Sequence, residues 1–197
     1  MVKREVRSKE DILNFKGKIM LQGVKVRLVP PKKEYIDRFQ KWMTDPEITQ
    51  YLRVFRPITR EMEEDWYNSM IKRENNILFS IVIPDDENND ILIGNCDIDV
   101  DWKNRVGNVG IVIGEKECHG KGYGTEAMKL LVDYGFTTLN LNRIELETHG
   151  FNLRALKTYT KLGFKKEVTR RHAVYINGVY HDSIMLSILR DEWQRKK

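Results

Sequence analysis

The sequence predicts an α/β domain of the α+β type, with a mixed, mostly antiparallel sheet of about seven strands and about four helices packed on both faces of the sheet. Segments in which apolar and polar residues alternate, as in strands, are interspersed with segments whose apolar residues recur every three to four positions, as in helices. A polar turn at 85–90 and the pair Asn177-Gly178 each join two alternating segments, which indicates antiparallel hairpins. A glycine-rich segment at 119–125 introduces one of the helices.

The first part of the predicted fold is a strand followed by two helices. From Val24, apolar and charged residues alternate up to Pro30, where proline lacks the amide that a ladder hydrogen bond needs. Apolar residues then recur at helical spacing over 35–43, and a second amphipathic segment runs over about 59–74. Both segments predict helices that bury one face.

The rest of the chain supplies the remaining strands and helices. The predicted bounds are 77–84, 91–102, 107–113, 143–148, 164–175 and 179–189 for strands, and 125–139 and 153–162 for helices. Gly163 ends the second of these helices, because glycine readily adopts the left-handed conformation found just after a helix C-terminus.

Length and composition favour one globular domain. The 197 residues, 41% of them hydrophobic and 32% charged, contain no repeat and no Pro/Ser-rich linker, so we expect a continuous domain over 23–197 and an N-terminal extension over 1–22. No segment approaches the roughly 18 consecutive apolar residues of a membrane-spanning helix, and the charged start does not resemble a signal peptide. We therefore expect a cytoplasmic protein that does not associate with membranes.

The charge pattern argues against a nucleic-acid partner. The 34 basic and 29 acidic side chains give a net charge of +5, and they are dispersed along the chain. The basic clusters at 170–172 and 195–197 lack the interleaved aromatic residues on which single strands stack. The small positive excess favours a ligand with several phosphates. Cys96 and Cys118 are not expected to form a disulfide in a reducing compartment.

The glycine-rich segment 119–125 comes close to two general nucleotide-binding patterns. A Walker loop needs four residues between its two glycines and a residue with a hydroxyl group after its lysine. Here five residues separate Gly114 from Gly120, and the residue after Lys121 is Gly122. The dinucleotide pattern G-x-G-x-x-A fits 122–127, but a polar run separates it from the preceding strand and too little chain follows for a doubly wound domain. A flexible turn before a helix is a third interpretation.

The same segment resembles the signature [Q/R]-x-x-G-x-[G/A] of the GNAT superfamily of N-acetyltransferases, with His119 in the place of Gln or Arg. The backbone amides of such a turn, followed by a helix N-terminus, form a concave site for anions. Residues 152–164 resemble the N-x-x-A-x-x-x-Y-x-x-x-G-F segment of this superfamily. The resemblance covers most of the chain from Val24 onward. It is closest to the branch that acetylates ribosomal-protein N-termini, polyamines and amino acids.

This resemblance implies a GNAT-like sheet and an acetyl-CoA-dependent N-acetyltransferase. The acetyl group of acetyl-CoA, a co-substrate, would pass to a primary amine by direct attack in a ternary complex. The acceptor classes are a protein N-terminus, a polyamine and an amino-acid-like amine, and a homodimer is left open. The alternative is a non-catalytic acyl-CoA sensor or interaction module.

In the family, the strand before the glycine loop parts from its neighbour and its free backbone groups pair with the pantetheine arm. The cofactor-binding residues that the resemblance implies are Ile111, Val112, Ile113, His119, Gly120, Lys121, Gly122, Tyr123, Gly124, Thr125 and Asn152. Asn152 also occupies the position of a helix N-cap, which would account for an asparagine there without a ligand.

Tyr159 and Glu147 are the expected catalytic residues. Tyr159 follows Asn152 by two helical turns, and by resemblance it would act as the general acid that protonates the leaving thiolate. A phenol with a pKa near 10 is protonated at neutral pH, as this role requires. Glu147 is the candidate base and shares a strand face with Glu145.

A second acidic set occurs on the strand 91–102, where Asp97, Asp99 and Asp101 alternate onto one face and would attract a cationic acceptor. A solvent-exposed face is the other explanation of both acidic sets. His149, His172 and His181 lack the spacing of metal ligands, so no metal site is predicted and none of the three is given a role.

Overall fold

The computed structural model describes residues 20–85 and 89–195, and it arranges the eight strands of these ranges in one sheet of order β1-β2-β3-β4-β5-β6-β8-β7. The strands are β1 Leu21–Gln22, β2 Arg27–Val29, β3 Asn76–Ile83, β4 Ile91–Asp101, β5 Val106–Ile113, β6 Arg143–His149, β7 Lys165–Ile176 and β8 Val179–Leu189. The α-helices of the same ranges are α1 Ile36–Met43, α2 Pro46–Thr49, α3 Arg60–Lys72, α4 Tyr123–Thr137, α5 Leu153–Leu162 and α6 Arg190–Gln194.

The predicted fold class is confirmed, with one more strand and two more helices than expected. The additional strand is the two-residue β1, which pairs with β2 and lies inside the predicted extension 1–22. The prediction for residues 1–19 lies outside the described residues. The additional helices, α2 and α6, span four and five residues. Such short helices complete too few turns to produce a hydrophobic period in the sequence.

All neighbouring strands are antiparallel except β5 and β6. These two strands run parallel and pair over only three positions, from Val106↔Arg143 to Asn108↔Glu145. The sheet therefore consists of two antiparallel parts, β1–β5 and β6–β8, that meet along a short parallel join.

The main core lies between the sheet and α4. Met128 and Leu131 of this helix have no exposed surface and pack in the same cluster as Ile98 of β4 and Ile144 of β6. The helix approaches the sheet so closely that a Cβ at Gly135 would lie 2.7 Å from Ile144 Cδ1. Truncating a leucine such as Leu131 to alanine in this setting costs about 2–5 kcal/mol. The N-terminus of α4, where the glycine-rich segment ends, is thus held in a fixed place.

The opposite face of the sheet is partly covered by α1 and α3. A second cluster of buried apolar residues forms there around Phe39 and Trp42 of α1 and Val82 of β3. On β4, residues 96, 98 and 100 are buried in the main core. Since side chains alternate along a strand, Asp97, Asp99 and Asp101 face away from α4.

Candidate active site

A gap opens where β5 and β6 part. Beyond Asn108 and Glu145 the two strands no longer pair, although β5 continues to Ile113 along β4 and β6 continues to His149 along β8. One edge of β5, over 109–113, therefore faces the gap without a partner strand. A parallel pair that ends in this way leaves backbone donors and acceptors available to an extended ligand.

The gap widens into a cleft of about 650 Å³ that brings most of the predicted site residues together. The predicted residues that line the cleft are Ile111, Val112, Ile113, His119, Gly120, Gly122, Gly124, Thr125, Glu147, Asn152 and Tyr159. Lys121 and Tyr123 do not line it. The side chain of Tyr123 packs against the main core, and the carbonyl of Lys121 accepts a hydrogen bond of 3.0 Å from Lys25 Nζ.

The glycine loop adopts the left-handed backbone that its sequence suggests. Gly120 and Gly122 have φ angles of +75° and +89°, and Gly122 is the N-cap of α4. This region of conformational space is costly for residues that carry a Cβ. His119 Nε2 donates a hydrogen bond of 2.8 Å to the Ile113 carbonyl, which fixes the start of the loop to the end of β5. The first turn of α4 therefore begins beside the cleft, and the backbone amides of a helix N-terminus have no partners within the helix.

A turn between β1 and β2 supports this loop from outside. The carboxylate of Glu126 accepts hydrogen bonds from the amides of Val24 and Lys25, at 2.6 and 2.8 Å. These bonds and the bond from Lys25 Nζ to the loop carbonyl join the edge of the sheet to the first turn of α4. Sequence reasoning missed this role of Glu126, because its partners lie about a hundred positions earlier in the chain.

The end of β5 is packed against α1. A Cβ at Gly114 would lie 1.9 Å from Trp42 Cδ2, so only glycine fits between the strand and the indole. Trp42 Nε1 donates a hydrogen bond of 2.9 Å to the carboxylate of Glu115, which also pairs with Arg38 at 2.7 Å. Helix α1 therefore fixes the strand end that carries the predicted pantetheine-binding residues.

Helix α5 forms another wall of the cleft. Asn152 is its N-cap and accepts a hydrogen bond of 3.2 Å from the Ala155 amide through its side chain, so the capping role is observed and a ligand contact stays a prediction. Tyr159 lines the cleft although its residue is only 9% exposed. Burial raises the pKa of Tyr159 to about 12. The phenol therefore keeps its proton at neutral pH, as a general acid must.

Glu147 lies in the cleft, but both of its carboxylate oxygens already have partners. Its carboxylate pairs with Arg53, with Arg170 at 3.1 Å, and with the hydroxyl of Ser183. Burial alone would raise the pKa of Glu147, but the Ser183 hydrogen bond and the two guanidinium groups hold it below its usual value. A carboxylate in this state is ionised at neutral pH and a weak base.

Several residues of the cleft were not singled out from the sequence. The segment after α2 contributes Tyr51 and Arg53, and β6 ends on the buried His149. Phe151 packs against the rings of His149, at 5.4 Å between centroids, and His181, at 4.6 Å. The alternation of Glu147 and His149 along β6 was the one sequence signal for His149, since it places both on the same strand face.

The first predicted acidic set and Glu145 of the second lie on one face of the sheet, in an open groove of about 850 Å³ that we call the acidic groove, whereas Glu147 lines the cleft. Its acidic residues are Asp97, Asp99, Asp101 and Glu145. The register explains this, because Asp99 pairs with Asn108 and Asn108 pairs with Glu145. Gly110 lines both the groove and the cleft, so the two spaces adjoin.

The acidic groove is only partly neutralised. Asp99 pairs with Arg73 at 2.6 Å, and Glu145 pairs with Arg143 at 2.8 Å. Asp97 accepts a hydrogen bond of 2.7 Å from the Asn76 amide, and burial raises the pKa of its carboxyl. The groove keeps an excess of negative charge next to the cleft.

Within the described ranges, no group of three or more His, Cys, Asp or Glu side chains is arranged to hold a metal ion. Cys96 and Cys118 are free thiols whose pKa values are raised by burial. No helix in the described part of the chain is long and apolar enough to cross a bilayer.

Comparison with known proteins connects this geometry to a family. Residues 25–165 match the sequence profile of the family described as Acetyltransferase (GNAT) domain. The chain is 32% identical over 166 residues to the uncharacterized N-acetyltransferase p20 of Bacillus licheniformis, covering 81% of this chain and 90% of that protein. Over 82 residues it is 40% identical to the spermidine N(1)-acetyltransferase of Escherichia coli K12, covering 42% of this chain and 44% of that enzyme.

Among solved structures, the spermidine N-acetyltransferase of Vibrio cholerae in complex with CoA and spermine superposes with a TM-score of 0.78. The sequences are 23% identical, and the match covers 87% of this chain and 99% of that one. This likeness shows a shared fold.

Proposed function

Because the chain belongs to the GNAT acetyltransferase family, and is thus an acetyl-CoA-dependent N-acetyltransferase, we propose that it acetylates a primary amine by direct attack in a ternary complex. The observation that carries this proposal is the parting of β5 and β6 beside the glycine loop and Tyr159. Each of these three elements matches one requirement of the reaction: an edge for the pantetheine arm, an anion site for the pyrophosphate and an acid for the thiolate.

The cofactor would lie along the gap. The free edge of β5 at Ile111, Val112 and Ile113 would pair with the amide groups of the pantetheine arm, as an added strand would. The amides of the glycine loop and of the first turn of α4 would hold the pyrophosphate. Asn152 lines the cleft and would keep its capping bond through Oδ1 while its side-chain NH2 donates to the ligand.

Tyr159 would supply the proton for the departing sulfur. A thiolate with a pKa near that of cysteine, about 8.5, gains a proton readily from a phenol held in position. The buried setting that raises the Tyr159 pKa also keeps the phenol neutral when the thioester is bound. In this proposal the acid would act from the α5 side of the cleft, and the amine would approach from the β6 side.

For the acceptor we propose a polyamine-like cation rather than an uncharged amine. The acidic groove adjoins the cleft at Gly110 and would hold the distal ammonium groups of such a molecule while one amine reacts. Relatives of this chain include enzymes named spermidine N(1)-acetyltransferase. A lysine-like amine with a pKa of about 10.4 costs roughly 4.6 kcal/mol to deprotonate at pH 7, against about 1 kcal/mol for an α-amine near 7.8. A polyamine therefore needs a proton acceptor in the cleft.

The test is CoA-thiol release with spermidine, a short peptide with a free N-terminus, and an amino acid as acceptors. Spermidine is expected to give the highest kcat/KM. The substitution Asp99→Asn should raise the KM for spermidine by up to about fivefold, the range of one partly exposed ion pair, and leave the KM for the peptide unchanged. Asp65→Asn, on the exposed face of α3, is the matched control. No thiol release with any amine would overturn the acetyl-transfer proposal, and a preference for the peptide would overturn the polyamine assignment alone.

A further inference from the structure

We propose that His149 accepts the proton that the attacking amine loses. The inference rests on the proposed acetyl transfer and adds the group that this reaction still lacks, a neutral base on the β6 side of the cleft. His149 is the last residue of β6, on the same strand face as Glu147, at the position where β5 and β6 have moved apart. It lines the cleft although its residue is only 6% exposed.

The ring of His149 has an unused hydrogen-bonding atom. Nδ1 is buried and no described residue hydrogen-bonds to it. The backbone of Gln50 raises the pKa of His149, as an accepting carbonyl does, and with Nδ1 unpartnered we infer that Nε2 is the donor and that Nδ1 carries the lone pair. A buried polar atom without a partner destabilises the fold, and a catalytic role is one reason for retaining such an atom.

The ring is also held in one orientation. Phe151 packs against it at 5.4 Å between ring centroids and is itself packed between His181 and Tyr51, at 4.6 and 5.8 Å. The Gln50 bond fixes the tautomer, as the partner of a catalytic imidazole commonly does. The lone pair of Nδ1 therefore keeps one direction, which is the preorganisation that a proton acceptor needs.

Four groups from three elements determine the charge of His149. Burial lowers its pKa from the ordinary value of 6.5, and Arg53 and His181 lower it further. The Gln50 backbone and Glu147 oppose these effects, and the net shift is downward. His149 is therefore neutral at pH 7, with its lone pair available, whereas the oxygens of Glu147 are occupied by Arg53, Arg170 and Ser183.

The proton balance of the reaction is complete with these residues. One proton of the bound ammonium group passes to His149, and the neutral nitrogen forms the new C–N bond with the acetyl carbonyl carbon. When the C–S bond breaks, Tyr159 gives its proton to sulfur, and the resulting phenolate takes the second proton from nitrogen. His149 then releases its proton to water. The sum is an ammonium ion and a thioester converted into an amide, a thiol and one proton.

The test is the pH dependence of kcat/KM for spermidine in wild type and His149→Gln, which can form hydrogen bonds but does not titrate. Wild type should show an acid limb below pH 6.5 and then a plateau, because His149 removes a proton from the bound ammonium group. In His149→Gln only the free amine can react, so kcat/KM should keep rising tenfold per pH unit through pH 9. At pH 7 it should be about 100-fold below wild type, the usual contribution of a general base.

Matched variants separate this role from a structural one. His172→Gln changes an exposed histidine of β7 outside the cleft and should keep the wild-type profile. His149→Ala should regain activity with added imidazole, and all variants should keep the acetyl-CoA Kd of wild type. A wild-type profile in His149→Gln, or loss of the acid limb in Glu147→Gln instead, would overturn the proposal. If the His149 variants fail to fold, NMR titration of wild type decides, since the pKa of His149 must coincide with the acid limb.

The outcomes also distinguish the two proposals. Wild-type turnover with an unchanged His149→Gln profile removes His149 and leaves the acetyl transfer intact. Absence of turnover in wild type with every amine overturns the acetyl transfer and the role of His149 together.

Discussion

Gly114, at the end of β5, stands against the indole ring of Trp42 on α1, with space for a hydrogen atom and no more. A methyl group at this position would lie 1.9 Å from Cδ2 and 2.3 Å from Cε2 of the ring. The contact joins the helix on one face of the sheet to the strand end that borders the cleft, so a change at Gly114 acts on stability and on the site together.

We therefore expect Gly114→Ala to destabilise the fold by about 1–3 kcal/mol, the cost of forcing extra volume into a packed contact. It should also weaken acetyl-CoA binding, because the displaced strand end carries Ile113. Urea unfolding and a cofactor titration measure the two effects. Gly178→Ala is the comparison for cofactor binding, since a Cβ there meets no atom within 4 Å and Gly178 lies outside the cleft. Equal stability of Gly114→Ala and wild type would contradict the prediction.

Gly122→Ala should lower acetyl-CoA affinity by more than its effect on stability. Its φ of +89° is strained for alanine, and it caps α4 at the predicted pyrophosphate site. Gly178→Ala is the matched control, because Gly178 has a φ of +83° at the tip of the β7–β8 hairpin, outside the cleft. Both variants should lose roughly 1 kcal/mol of stability, and only Gly122→Ala should show a higher Kd in calorimetry. Equal affinities would remove the loop from the binding site.

Tyr159→Phe should retain acetyl-CoA binding and lose about 100-fold or more in kcat, since it deletes the acid and keeps the packing. Because the pKa of Tyr159 is about 12, its ionisation should leave no basic limb in the wild-type profile below pH 10. Stopped-flow thiol release and a binding titration test this pair of expectations. Unchanged turnover would show that another group, or water, protonates the sulfur.

Because the carboxyl group of Glu63 on α3 is buried, we expect the stability of the fold to depend measurably on pH. The residue is 5% exposed, and burial raises the pKa of its carboxyl from 4.5 to about 7. The folded state therefore prefers the protonated form, and this contribution to stability is present below pH 4.5 and is lost as the pH rises through 7. The loss amounts to roughly 3 kcal/mol, from 1.36 kcal/mol per pKa unit.

The substitution Glu63→Gln should accordingly raise the free energy of unfolding at pH 8 and leave it nearly unchanged at pH 4.5. Denaturant unfolding at the two pH values measures the difference. Asp65→Asn, on an exposed position of the same helix, serves as the control and should show no such dependence. A parallel pH response of Glu63→Gln and wild type would indicate that the carboxyl is hydrated in the folded state.

The sequence predicted the long elements well because their patterns repeat several times within one element. The strand predicted at 91–102 is β4 at Ile91–Asp101, and the predicted helix 153–162 is α5. Helix α4 begins two residues earlier than predicted and ends at Thr137, because the left-handed Gly122 already serves as its N-cap. The short α2 left only a local signal, Asp45 before Pro46, which is typical of a helix start.

The site was predictable to the extent that its parts are contiguous in the chain. The glycine loop and the residues from Asn152 to Tyr159 each form a continuous motif, and both line the cleft. The partners of Glu147 were hidden, since Arg53 and Ser183 lie 94 and 36 positions away. The position of Glu145 beside the three aspartates also depends on the register of β5 against β6, which no local sequence pattern contains.

The three-pair join between β5 and β6 has a mechanical consequence. The two antiparallel parts of the sheet are connected by only these three pairs, and the cleft lies where the pairing has ended. In the proposed binding mode, the pantetheine arm lies between the two parts of the sheet beyond the last pair. The cofactor then stabilises the sheet while it is bound, in addition to reacting. Amide hydrogen exchange along 109–113 would then report whether the cofactor is bound. Exchange should be slow in the complex and fast after the CoA thiol has left.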